Sequence, residues 1–120
     1  MSRSVLIVDD DPTFLSLATR ILTQAGFEVV ATAEDAAGAL SAAGDTKPDC
    51  ALVDLGLPDR EGVELAYELA ELPWRPRVVL TSTDSDAGLG LNVADGRARL
   101  PFIAKEDLAN GQLARLLAWW

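Results

Sequence analysis

The chain contains no histidine. Any mechanism that needs an imidazole as base, metal ligand or phosphoryl carrier must borrow it from another molecule. A single cysteine, Cys50, excludes an intramolecular disulfide and suits a reducing cytoplasm. It stands in an apolar run and reads as a small buried hydrophobe. Basic residues are scarce: 10 Lys and Arg face 19 Asp and Glu, for a net charge of −9 without a basic cluster. That balance argues against this domain gripping nucleic acid or an anionic membrane directly, because phosphate binding draws on Lys and Arg. No apolar run approaches the roughly 20 residues of a membrane span. The opening MSRSVLIVDDD also lacks the long apolar region and cleavage site of a secretion signal.

What is present suits one folded domain over residues 1–120, with 49% apolar residues and no low-complexity tract. Val5–Val8, Cys50–Val53, Val78–Leu80 and Phe102–Ala104 are continuous apolar runs, the pattern of parallel strands buried on both faces. Glu28–Ala31 is weaker and suits an edge. Helical patterns lie between them. Phe14, Ala18, Ile21 and Leu22 share one face, which Gly26 closes. Thr32 with Asp35 resembles a capping box before the Ala-rich stretch 33–43. Leu65, Ala66, Leu69 and Leu72 make another face, stopped by Pro73, and Leu113, Leu116, Leu117 and Trp120 make the last. Segment 86–96 holds Gly88, Gly90 and Gly96, so a helix there is expected to be weak or short. Strand and helix alternate five times, which predicts a single doubly wound α/β domain with a parallel sheet and helices on both faces.

In such a sheet the functional crevice lies beyond the carboxyl ends of the strands. Asp9 and Asp10 follow the first run, Asp54 the third, Thr81 and Ser82 the fourth, and Lys105 the fifth. Clustered carboxylates are unfavourable unless protonated or bridged by a cation. An oxygen-only ligand set selects a hard cation, Mg²⁺ or Mn²⁺, and such ions reach for phosphate oxygens. Hydroxyls and a lysine beside it would complete a cradle for a phosphoryl group.

These residues, carried by VLIVDDDP (5–12), LVDLGLPDREGVEL (52–65), VVLTSTD (78–84) and FIAKEDL (102–108), resemble the receiver domain of bacterial two-component response regulators. Asp54 with Pro58 and Gly62 at family spacing is the most specific piece. The resemblance implies a flavodoxin-like sheet of order 2-1-3-4-5 and a role in phosphorelay signalling rather than turnover of an outside substrate. It implies that Asp54 is the phosphoacceptor, supplied by a histidine kinase or phosphotransfer protein, which answers the missing histidine. Asp9, Asp10, Asp54 and the backbone carbonyl of Gly56 match the Mg²⁺ ligands, with Asp10 direct and Asp9 partly through water. Thr81 matches the switch hydroxyl, with Ser82 beside it, and Lys105 matches the lysine that pairs with the phosphoryl group. Phe102 stands at the switch-aromatic position.

Four departures from the family pattern are visible. Glu106 replaces the proline that often follows the lysine, and Phe102 replaces the commoner tyrosine. Gly56 offers no side chain beside the acceptor, and the Gly-rich segment 86–96 lies in the face that usually carries output. Two other readings fit parts of the string. Asp9-Asp10-Asp11-Pro12-Thr13 satisfies the D-x-D-x-T signature of haloacid-dehalogenase-like phosphatases, with Asp9 as nucleophile and Asp11 as acid/base. Against that, Asp11 before Pro12 reads as a helix N-cap. The other is a receiver that binds partners without phosphorylation. Trp120 continues the last apolar stripe, whereas Trp119 falls off it and suits an interface. A homodimer through residues 86–120 and a downstream output domain or protein are further expectations.

Overall fold

The computed structural model describes residues 3–83, 100–111, 113, 115 and 117. Along the chain run β1 (Ser4–Val8), α1 (Pro12–Gln24), β2 (Glu28–Ala33), α2 (Ala36–Thr46), β3 (Cys50–Asp54), α3 (Gly62–Ala70), β4 (Arg77–Ser82) and β5 (Phe102–Ala104). A 3₁₀ helix, Lys105–Asn110, follows. The strands form one parallel sheet in the order β2-β1-β3-β4-β5, with β2 at the edge.

Alternation of side chains along each strand splits the core in two. Val5, Ile7, Cys50, Leu52, Val79 and Ile103 face Phe14, Ala18 and Leu22 of α1, together with Leu108, Leu113 and Leu117. Leu6, Val8, Ala51, Val53, Val78 and Leu80 face the alanines of α2 and Leu65, Ala66 and Leu69 of α3. Every residue of β3 is buried, which explains its unbroken apolar run. Cys50 is buried as expected, its Sγ 3.5 Å from the carbonyl of Leu117.

The helix ends follow local chemistry. Asp11 caps α1, its side chain accepting from Thr13 N at 3.0 Å, with Pro12 in the first turn where no N–H is needed. Gly26 ends the same helix at φ 96°, a backbone conformation open to glycine. One expectation is corrected at α2. Thr32 does not cap it, because β2 runs on to Ala33 and pairs Thr32 with Ile7. The N-cap is Asp35, whose Oδ1 accepts from Gly38 N at 2.7 Å, so α2 starts and ends three residues later than the Ala-rich pattern suggested. Leu113 and Leu117 are fully buried, in line with the last apolar stripe. Leu116, Trp119, Trp120 and segment 86–96 lie outside the described residues, as does most of residues 86–120, where a homodimer contact is expected. Among the described residues no helix is long and apolar enough to cross a membrane.

Candidate functional site

The parallel register delivers the acidic residues to one end of the sheet, at the carboxyl ends of the interior strands β1 and β3. Val8 pairs with Val53 across β1 and β3, so Asp9 and Asp54 emerge side by side. Asp54 in turn lies opposite Thr81 on β4. Carboxylate oxygens of Asp9, Asp10 and Asp54 lie within 4.8 Å of one another. Asp9 is fully buried, Asp54 nearly so and Asp10 exposed.

Lys105, first residue of the 3₁₀ helix after β5, reaches into this cluster. Its Nζ lies 2.6 Å from Asp9 Oδ2 and 3.4 Å from Asp54 Oδ1. It also sits over the Phe14 ring, 4.2 Å from the centroid. Asp9 Oδ1 accepts from Asp11 N at 2.8 Å, which folds the chain back after β1. Asp54 Oδ2 accepts from Gly56 N at 3.1 Å. Burial pushes the Asp54 carboxyl above its ordinary value and the charge of Asp9 adds to this, while Lys105 and the Gly56 N–H oppose it. Burial works to lower the Lys105 ammonium, but its bond to Asp9 and the charges of both carboxylates outweigh it, so its pKa is raised.

Three carboxylates against one ammonium leave surplus negative charge in an oxygen-only donor set. That is the chemistry of a hard divalent cation site, so these residues fit Mg²⁺. The Thr81 hydroxyl is buried and has no hydrogen-bond partner among the described residues. A buried hydroxyl left unpaired is costly, and an incoming oxygen-rich group would satisfy it. Ser82 is half-buried, next along β4. Phe102 is half-buried at the start of β5, packed against the α2–α3 core. No peptide bond is cis among the described residues, so the chain passes from Lys105 to Glu106 in trans. The D-x-D-x-T reading is not favoured, because Asp9 is buried and paired with Lys105 while Asp11 faces the helix it caps.

Two residues beside the site were not legible in the sequence. Phe14 reads from periodicity as core alone, and nothing in the string places it against a lysine 91 residues away. Asp59, in the loop after β3, accepts from Ala36 N at 2.9 Å and Ala37 N at 3.1 Å, clamping that loop to the start of α2. Only tertiary structure reveals either contact.

The sequence profile of the response regulator receiver domain matches residues 5–109. This chain belongs to the response regulator receiver domain family. It is 39% identical over 113 residues to the transcriptional regulatory protein KdpE of Mycobacterium tuberculosis, covering 88% of this chain and 47% of that protein. To the DNA-binding response regulator MtrA of Mycolicibacterium smegmatis it is 38% identical over 112 residues, covering 91% and 49%. The receiver domain thus spans about half the length of these relatives. Among solved structures it is similar to the signal receiver domain of NarL from Mycobacterium tuberculosis, with a TM-score of 0.77, 25% identity and 96% of each chain covered. The receiver domain of PhyR from Erythrobacter litoralis shares the fold at TM-score 0.80 and 20% identity, over 98% of this chain and 92% of that one. The receiver is accordingly a two-component signalling domain of flavodoxin-like fold, not a conventional enzyme.

Proposed function

We propose that Asp54 is the phosphoacceptor of this receiver, charged by the phosphohistidine of a partner kinase or phosphotransfer protein in a Mg²⁺-dependent step. The observation that carries this reading is the cluster at the carboxyl end of the sheet in which Asp54 meets Asp9, Asp10 and Lys105 opposite an unpaired Thr81 hydroxyl. A carboxylate oxygen of Asp54 attacks phosphorus in line. The new P–O bond forms as the P–N bond to the donor imidazole breaks, and that bond's electron pair returns to the ring nitrogen. Asp9, Asp10, Asp54 and the Gly56 carbonyl would hold Mg²⁺, which supplies neutralisation of the phosphoryl charge when bound. Lys105 offsets the same charge from the other side, and the Gly56 N–H holds one Asp54 oxygen in place. Thr81 Oγ1 then donates to a phosphoryl oxygen, and the shift of β4 reaches Phe102 through the neighbouring strand β5.

The histidine-free composition supports a donor on another molecule. The change at Thr81 and Phe102 serves a downstream output element or protein, consistent with the domain spanning half of relatives named as transcriptional or DNA-binding regulators. The test is intact-mass measurement after incubation with acetyl phosphate and Mg²⁺. Wild type gains one phosphoryl group, and Asp54→Asn or chelation of the metal abolishes the gain. An Asp54→Asn protein that still gains it would sink the assignment. The same wild-type protein remaining unmodified would favour a receiver that works by docking alone.

A further inference from the structure

We propose that Phe14 is a positioning residue for Lys105, its ring face holding the ammonium between the Asp9 and Asp54 carboxylates. The functional half of this proposal rests on Asp54 being the phosphoacceptor; the structural half does not. Four elements converge on one cation. Phe14 comes from the first turn of α1, Asp9 from the end of β1, Asp54 from the end of β3 and Lys105 from the 3₁₀ helix. Nζ is 4.2 Å from the ring centroid, 2.6 Å from Asp9 Oδ2 and 3.4 Å from Asp54 Oδ1.

An ammonium has three N–H donors and no acceptor. Two carboxylates are within reach of it here. An aromatic face attracts the cation through its quadrupole but offers no lone pair to compete for those donors. The ring therefore fixes the ammonium while leaving donor capacity for a phosphoryl oxygen. An aliphatic side chain at the same helical position would still be apolar enough for the core but give the cation no attraction on that side. The contact is also shielded: Phe14 is 6% exposed and the Lys105 side chain 15%, the desolvated setting in which such pairs are strongest.

The composition offers a direct test, because the chain has only two lysines, Lys47 and Lys105. Lys47 is exposed beyond α2 and serves as reference. Protein labelled with ¹³C and ¹⁵N in lysine alone gives two sets of side-chain NMR signals. In unphosphorylated wild type the Lys105 ε-methylene protons are expected upfield of those of Lys47, moved by the ring current of Phe14. Phe14→Tyr keeps that displacement and Phe14→Leu removes it. Two unshifted lysines in wild type would overturn the proposal without any variant, even if Phe14→Leu fails to fold. With acetyl phosphate and saturating Mg²⁺, phosphorylation of Phe14→Leu slows about three- to tenfold and Phe14→Tyr restores the rate. A folded Phe14→Leu protein that loses the ring shift yet reacts at the wild-type rate makes Phe14 a core residue only, and overturns it. If wild type gains no phosphoryl group, the acceptor reading falls, and the lysine spectrum alone upholds or overturns the positioning of Lys105.

Discussion

Gly62 packs against the backbone carbonyl of Asp54 so closely that a Cβ at this position would collide with that oxygen and lie 2.7 Å from Leu55 Cα. Its N–H also donates to Leu55 O at 3.1 Å, so α3 begins directly against the exit of β3. Backbone cannot yield as a flexible side chain does. Gly62→Ala is therefore expected to destabilise the fold by about 3 kcal/mol, the upper part of the usual overpacking range. Gly44, inside α2, has nothing within 4 Å of an added Cβ. Gly44→Ala should stabilise by about 0.5–1 kcal/mol through helix propensity and the less flexible unfolded chain. Urea unfolding of the two variants checks both signs, and equal stability of Gly62→Ala with wild type would contradict the close approach.

Asp59 ties the loop that carries Gly56 to α2 through the N–H groups of Ala36 and Ala37. The Ala36 N–H is the main reason its carboxyl titrates below the ordinary range. A depressed folded pKa means that the stabilisation is present above the unfolded value and is lost as pH falls through the folded one. Asp59→Ala should lower the thermal midpoint at neutral pH, and the gap to wild type should close in strong acid. Amide exchange at Ala36 and Ala37 should accelerate in the variant. Unchanged exchange at both amides would show that the clamp does not hold in solution.

The strands and the gathering of Asp9, Asp10, Asp54 and Lys105 at their ends were legible because both depend on local patterns. Buried parallel strands must be apolar throughout, so Val5–Val8 and Cys50–Val53 announce themselves, and the polar residue after each run falls at the carboxyl end of the sheet. The α2 start is ambiguous in the sequence because Thr32 and Asp35 both suit an N-cap, and only pairing of Thr32 with Ile7 in the sheet decides between them. The Asp59 clamp and the Phe14 contact were not legible at all. Each joins residues more than 20 positions apart, and no periodicity encodes where a surface loop or a lysine tip comes to rest.

Cys50 gives a probe of global opening. Burial first, then the charge of Asp49, pushes its thiol up to about 12 from an ordinary value of 9.0. The reactive thiolate is therefore scarce in the folded state at neutral pH. Folded protein should react slowly with a disulfide reagent such as 5,5′-dithiobis(2-nitrobenzoate), and promptly in denaturant. Because the folded pKa is raised, this group favours the fold below pH 9.0 and ceases to do so as pH climbs towards about 12. Fast modification of native protein at neutral pH would contradict the burial of Cys50.

The three consecutive aspartates should separate cleanly by mutation, because their surroundings differ. Asp11 is exposed and accepts from Thr13 N, so Asp11→Ala removes a helix cap and costs about 1 kcal/mol. Only its backbone N–H, which alanine keeps, reaches the acidic cluster at Asp9 Oδ1, so Mg²⁺ affinity should stay at the wild-type level. Asp10 is exposed within that cluster. Asp10→Asn relieves repulsion among like charges, so metal-free stability should hold or rise slightly. If Asp10 holds the metal directly as proposed, the variant's Mg²⁺ affinity should fall at least about 10-fold, since a neutral amide replaces a carboxylate. Calorimetric Mg²⁺ titration beside thermal melts of both variants reads the two axes independently. An Asp11→Ala protein that loses metal binding while Asp10→Asn keeps it would reverse the roles assigned to them.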